Sequence, residues 1–272
     1  MSLAAPARQS ILLRSIIGAL VLAAPITAFA DELPTGWSGK GQAGYVMSRG
    51  NSDTDAANAK LDLFLLTPAW KHQLTLEGLY GKSGQVTSAE RWDLRLQSDY
   101  TITPQLFSFG ALAYQDDRFS GFQYQASASG GLGYKFFDTN TTKLAAQLGV
   151  GYRVLRPETL VTDPNGSGAI IDRIPLERQS EVVGTAGVDF MHQFNASTKL
   201  TDKMIAESGS SNTSIKNDLA LEVKMSKKLA LAAGYSVLHN TKPAGGVKRT
   251  DTITTLNVVY AFSNPGGTGT PN

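Results

Sequence analysis

The chain has 272 residues, with 25 basic and 23 acidic side chains, three histidines and no cysteine. Near-balanced charge without a clustered basic face gives no argument for nucleic acid, and the lack of cysteine excludes a disulfide framework. Gly, Ala, Ser, Thr and Asn are abundant and mean hydropathy is −0.13, so no long apolar core dominates the composition.

Residues 1–30 read as a separate object. Arg8 and Arg14 form a positive start, an apolar run extends from Ile16 to Ala24, and Ala28-Phe29-Ala30 is a small-x-small cleavage site before Asp31. This is the pattern of a cleaved secretory signal peptide. Pro25 interrupts the run, which falls short of the roughly 20 residues a spanning helix needs. Its removal takes away two basic residues and no acidic one, leaving a mature chain near neutrality.

From there the chain alternates. In 90–101, Trp92, Leu94, Leu96 and Tyr100 fall on one parity, and Arg91, Asp93, Arg95, Gln97 and Asp99 on the other. Successive strand side chains point to opposite faces, so this is a ribbon with one apolar and one charged side. The pattern predicts twelve strands: 37–48, 55–66, 71–81, 90–101, 106–115, 122–136, 143–155, 181–192, 198–207, 213–225, 228–239 and 250–262. Segment 106–115 is apolar on both parities, which leaves its register open, and 198–207 is the least regular because Asp202 sits on the parity expected to be apolar.

Most segments span about 10–13 residues, matching the 9–11 of a tilted membrane strand rather than the 5–6 of a globular one. Short links (67–70, 103–105, 138–142, 193–197, 226–227) alternate with mostly longer ones (82–89, 116–121, 156–180, 240–249). That is the pattern of short periplasmic turns and long outer loops in a bacterial barrel. Aromatics gather toward strand ends in two prospective girdles. Trp37, Trp70, Tyr100, Phe107, Tyr134, Phe136, Phe190, Tyr260 and Phe262 lie toward the short turns, and Tyr45, Tyr80, Trp92, Tyr114, Phe122, Tyr152 and Tyr235 toward the long links. The last strand ends Leu256-x-Val258-x-Tyr260-x-Phe262, an alternation like the signal read by the outer-membrane barrel-assembly machinery, and the Gly/Pro-rich tail 263–272 is expected to be disordered.

Several strings carry a family resemblance: Gly44-Tyr45-Val46-Met47-Ser48-Arg49-Gly50-Asn51-Ser52-Asp53-Thr54, Asp117-Arg118-Phe119-Ser120-Gly121-Phe122, Gly130-Gly131-Leu132-Gly133-Tyr134 and Leu148-Gly149-Val150-Gly151-Tyr152-Arg153. Over nearly all of 37–262 the chain resembles the salt-induced outer-membrane proteins (YdiY-like) of domain-of-unknown-function family 481. The resemblance implies an outer-membrane location and a link to salt stress, and it supplies no catalytic residue.

The residues themselves point to little chemistry. His72, His192 and His239 lie far apart, without metal-ligand spacing. A lipid-acting barrel enzyme needs a Ser–His–Asn/Asp constellation on its wall, and nothing in this Ser-rich chain marks such a serine. Asp116 and Asp117 with Asp163 and Asp172 could offer oxygens to calcium, though loop aspartates are more often solvated.

The sequence therefore predicts an all-β, antiparallel transmembrane barrel of about twelve strands over 31–262 in the outer membrane of a Gram-negative bacterium. The candidate lumen-lining residues are Lys60, Asp62, Glu77, Arg91, Asp93, Arg95, Asp99, Lys143, Arg153, Glu181, Asp189 and Glu222. No cofactor is indicated. The expected partners are outer-membrane lipid and the export and barrel-assembly machinery, with no nucleic acid. Three functions are weighed: a non-catalytic envelope barrel whose lumen is filled by paired charges, a narrow channel for ions or small solutes, and a lipid-acting enzyme. Of substitutions in the fourth strand, Arg at Leu94 is expected to impair folding far more than Arg at Gln97.

Overall fold

The computed structural model describes residues 36–49, 54–83, 86–164, 169–243 and 248–263. The chain divides into two units, Met1–Leu33 and Pro34–Asn272, and every described residue lies in the second. The expected signal peptide, and the expected tail beyond Ser263, lie outside the described residues.

Thirteen strands form: β1 (Trp37–Arg49), β2 (Thr54–Leu66), β3 (Trp70–Ser83), β4 (Val86–Thr101), β5 (Leu106–Asp117), β6 (Phe122–Asp138), β7 (Thr142–Thr162), β8 (Ile170–Pro175), β9 (Gln179–Gln193), β10 (Thr198–Ser208), β11 (Thr213–Lys224), β12 (Leu229–Asn240) and β13 (Thr250–Ser263). Neighbours in sequence pair antiparallel, except that β9 passes over β8 to pair with β7. β13 returns to β1 in an unbroken register from Ser38↔Ser263 to Arg49↔Thr252. β8 pairs only with the last residues of β7. Twelve strands thus close into a barrel, and the end of β7 continues past it as a hairpin with β8.

The expected long loop 156–180 is therefore corrected. β7 runs 21 residues to Thr162, and β8 occupies much of the remainder. The apolar residues Leu160, Val161, Ile170, Ile171 and Ile174 supply β-branched and aliphatic side chains that favour pairing over coil. The expected link 82–89 also shrinks, because β3 and β4 continue to Ser83 and from Val86.

The opposite rim has a repeated device that periodicity alone does not reveal. At each of five turns, a Thr, Ser or Asn side chain accepts the backbone N–H three residues on: Thr67 from Trp70, Thr103 from Leu106, Thr139 from Thr142, Asn195 from Thr198 and Ser226 from Leu229. Each residue's own N–H donates back to the same partner's carbonyl. These are Ser/Thr and Asx turns that fix where each strand starts.

Packing is inside out. On β4, Trp92, Leu94, Leu96 and Tyr100 are exposed, while Arg91 and Gln97 are buried at 6% and 8% exposure. The same alternation leaves Leu61, Leu63, Leu74, Leu132, Leu148, Val150, Leu221 and Val258 on the outer wall. An apolar belt of this extent is what hydrocarbon contact requires of a barrel wall.

The lumen is not only polar. Segment 106–115, ambiguous in sequence, resolves with Phe107, Phe109 and Ala111 inward and buried, and Leu112 and Tyr114 outward. Phe107 is thus not part of an outer girdle. Neither is Phe122, which is 4% exposed and lies opposite inward Asp117. Space for the two β5 rings comes from glycine. A Cβ on Gly133 would lie 2.1 Å from the Phe107 ring, and one on Gly149 would meet Phe109 at 2.9 Å and the Gly130 carbonyl at 2.4 Å. The Gly-rich strings 130–134 and 148–152 are therefore a bed for inward aromatics.

We expect Gly149→Ala to destabilise the barrel by about 1–3 kcal/mol through overpacking, because a backbone carbonyl blocks the new methyl. Gly184→Ala, with nothing within 4 Å, should be neutral; denaturant titration of heat-modifiable gel migration compares the two. The same assay should show Leu94→Arg losing about 2–4 kcal/mol near the lipid midplane, while Asp189→Asn is tolerated at an inward site that is half exposed. Gln97→Arg is not the benign control that the sequence suggested, because Gln97 is buried and bonded to Arg95, Asp99 and Gln147.

Candidate functional site in the barrel lumen

Strands that tilt around a barrel bring distant inward residues together. The centre of the lumen holds a charge network built from β3, β4 and β11. Arg91 Nε lies 2.8 Å from Asp93 Oδ2, and an Arg91 terminal nitrogen lies 3.8 Å from Glu77. Lys216 Nζ lies 3.3 Å from the other Glu77 oxygen and 3.8 Å from Asp218. β3 and β11 are separated by four strands, so the Lys216–Glu77 pair crosses the lumen. Hydrogen bonds complete the shell: Gln115 donates to Asp93 at 2.7 Å, and Ser236 to Asp218 at 2.6 Å.

Lys60 and Asp62 face inward beside this network but do not join it directly. Asp62 accepts from Thr75 at 2.6 Å and from Gln73 at 3.5 Å. Lys60 is flanked in register by Gln42 and Glu77. Arg95 donates to Gln97, and Gln97 in turn to Asp99, both at 2.9 Å. Gln97 also reaches Gln147 across β5 and β6.

Nearer the five turns, Glu222 sits between two cations, Lys199 at 3.4 Å and Lys40 at 3.7 Å. Lys143 pairs with Asp138 at 3.6 Å, at the turn rim itself. Asp189 pairs with Lys203 at 3.6 Å, and both remain substantially open to solvent.

The loop-side mouth is closed more tightly. Arg153, 1% exposed, donates through one terminal nitrogen to Glu181 and to the Asn212 carbonyl, both at 2.6 Å. Its other terminal nitrogen is 4.0 Å from Glu207. Glu181 accepts from the Ser210 hydroxyl and from both the hydroxyl and the N–H of Ser211. Asn212 is buried and donates to Asn240 at 2.7 Å, while its oxygen accepts from Thr241 and Lys242. The 209–212 link is thereby folded over the mouth and latched to β7, β9 and the end of β12. Sequence reasoning missed this latch, since a four-residue polar link has no periodicity. It also passed over Lys199, Lys203 and Glu207, whose shared parity was legible but obscured by Asp202.

The four aspartates considered for calcium do not converge. Asp116 lies opposite outward Trp92, whereas Asp117 lies opposite inward Arg91, so adjacent residues face opposite sides of the wall. Among the described residues no group of three or more His, Cys, Asp or Glu is arranged to hold a metal.

A family model described as "Protein of unknown function, DUF481" matches residues 41–262. The chain belongs to this family. Among curated proteins, this DUF481 barrel is 22% identical over 232 residues to "Uncharacterized protein YdiY" of Escherichia coli (strain K12), with 83% of each chain covered. Among solved structures it is similar to the NanC porin at 10% identity, with 82% of this chain and 98% of that chain covered and a TM-score of 0.49. It is also similar to the translocator domain of autotransporter NalP from Neisseria meningitidis, at 13% identity, 86% and 91% coverage and a TM-score of 0.48.

The histidines of this DUF481 barrel are on its outer wall. His72 Nδ1 is 2.8 Å from Ser98 Oγ, the kind of contact a nucleophilic serine would make. The same contact recurs between His192 and Thr142 at 2.9 Å and between His239 and Thr250 at 2.8 Å. In every case the partners are directly opposite in register. The recurrence identifies a cross-strand pairing of rim residues, with His72 also stacked on Trp70.

Arg153→Ala should free the mouth latch. Removing one partner of a buried ion pair costs about 3–5 kcal/mol. We expect lower thermal stability together with faster amide exchange at Ser210–Asn212; unchanged exchange there would contradict the latch.

Proposed function

We propose that this protein is a non-catalytic barrel of the Gram-negative outer membrane whose lumen is filled by paired charges, serving the envelope rather than rapid solute flow. The carrying observation is the Lys216–Glu77 pair, which joins nearly opposite walls at 3.3 Å. Arg91, Asp93 and Asp218 extend it, and an isolated charge at such a site would be costly. The Arg153 latch narrows the mouth above it. Association with salt stress follows from family membership alone, and outer-membrane lipid with the export and barrel-assembly machinery are the partners this reading requires. The proposed assembly signal fits it: Leu256, Val258 and Tyr260 face outward on β13, and Phe262 packs over Gly39 at the β1–β13 seam.

A second reading, a narrow channel for ions or small solutes, is favoured by one feature. Inward Asp189 is 49% exposed and its partner Lys203 is 31% exposed, so part of the lumen admits water. A lipid-acting enzyme would need a third group to orient a histidine. Among the described residues none bonds to His72 besides Ser98.

Single-channel recording in a planar bilayer separates these readings. The unmodified protein should give small or no steady conductance. Arg91→Ala combined with Lys216→Ala strips Glu77 of both its ion-pair partners and should open a cation-preferring leak. Large steady conductance from the unmodified protein would overturn the filled-lumen reading in favour of the channel.

A further inference from the structure

One position in the outer wall breaks its chemistry. Asp202 on β10 lies directly opposite Phe190 and Leu219, so it points outward, in the middle third of a strand bounded by Thr198 and Ser208. Asn217 on β11 is its diagonal neighbour on the same face and donates to Asp202 Oδ1 at 2.7 Å. Around them the outward residues are Met204, Leu219, Leu221 and Tyr235. The other outward carboxylates described in the barrel wall, Glu90 and Asp116, sit at the loop rim, and Glu90 is paired there with Arg118. Asp202 and Asn217 are thus the carboxylate and the amide that the described wall presents to the hydrocarbon away from its rims.

Within hydrocarbon a polar group lacks water, and side chains of this type act as interhelical or interchain glue because a partner removes the penalty. The pair is only half satisfied by itself. Asp202 has a second carboxylate oxygen, and Asn217 has a second N–H and its own oxygen. Among the described residues no hydrogen bond other than the mutual one is made by either side chain. One free acceptor beside one free donor is self-complementary. A two-fold axis through the patch would let Asn217 of each copy donate to Asp202 of the other, the isologous arrangement typical of dimers.

We propose that the β9–β11 wall, centred on Asp202 and Asn217, is a membrane-embedded interface with a second copy of this chain. It rests on the lipid-facing reading of the wall. A chain that leaves the membrane would remove that reading, whereas a folded, membrane-embedded monomer removes only the pairing.

The lack of native cysteine makes the test clean. Leu219→Cys places one thiol beside the polar pair, and Leu96→Cys places one on β4, half-way round the barrel. Oxidation of isolated membranes should cross-link the first several-fold more than the second, into a species of twice the chain mass. Adding Asp202→Leu and Asn217→Leu to Leu219→Cys should reduce cross-linking to the Leu96→Cys level while heat-modifiable migration persists. Should that variant fail to fold, the two single cysteines still decide. Equal cross-linking at both sites, a cross-linked species of any other mass, or a monomer by native mass spectrometry from lipid nanodiscs would overturn the proposal.

Discussion

The return of β13 onto β1 governs everything else in this molecule. In hydrocarbon an unpaired backbone N–H or C=O has no water to turn to, so a spanning sheet must have no edge. Register from Ser38↔Ser263 to Arg49↔Thr252 satisfies both edge strands. Closure then fixes two unlike surfaces by the two-residue period of the strand. One parity meets lipid and the other is confined in a narrow lumen. Even β8, which has no place in the closed ring, is accommodated as a hairpin on the end of β7, with Glu158 buried against Arg173.

Confinement explains the interior. A dozen strands leave limited room, and the side chains divide it in two ways. On the β5–β7 side, Phe107 and Phe109 fill space over glycines, burying rings where β-carbons would collide. Elsewhere, charges from separated strands meet, as Lys216 does with Glu77 and Lys40 with Glu222. Ion pairs in such a site bring little net stability beyond apolar filling, but they define which groups can approach. The wall shows the converse logic: Asp202 and Asn217 put unspent hydrogen-bonding capacity where lipid offers none.

Much of this was legible in the sequence because strand periodicity survives tilt and closure. Arg91 through Asp99 could be sorted by parity alone, and twelve barrel strands appear where twelve alternating segments stood. Three kinds of information were not legible. Parity does not say which walls face one another, so the partners of Arg95 and Asp62 turned out to be Gln97 and Thr75 rather than opposite charges. A segment apolar on both parities, such as Leu106 to Gln115, needs its neighbours' glycines to settle its register. Polar links such as Gly209 to Asn212 carry no period, so the latch on Glu181 emerges only from the folded chain. The Asp202 anomaly was visible, and its cause lies in a neighbour on another strand.

The central claim is that opposite walls are tied through the lumen by direct ion pairing. Solid-state NMR of the protein in lipid bilayers tests it most directly, by dipolar dephasing between 15N-labelled lysine Nζ and 13Cδ-labelled glutamate, with the Lys216→Arg variant assigning the signal. The account expects strong dephasing for Lys216 with Glu77, as a 3.3 Å contact requires. A lysine signal at this position that shows no dephasing and exchanges freely with water would contradict it.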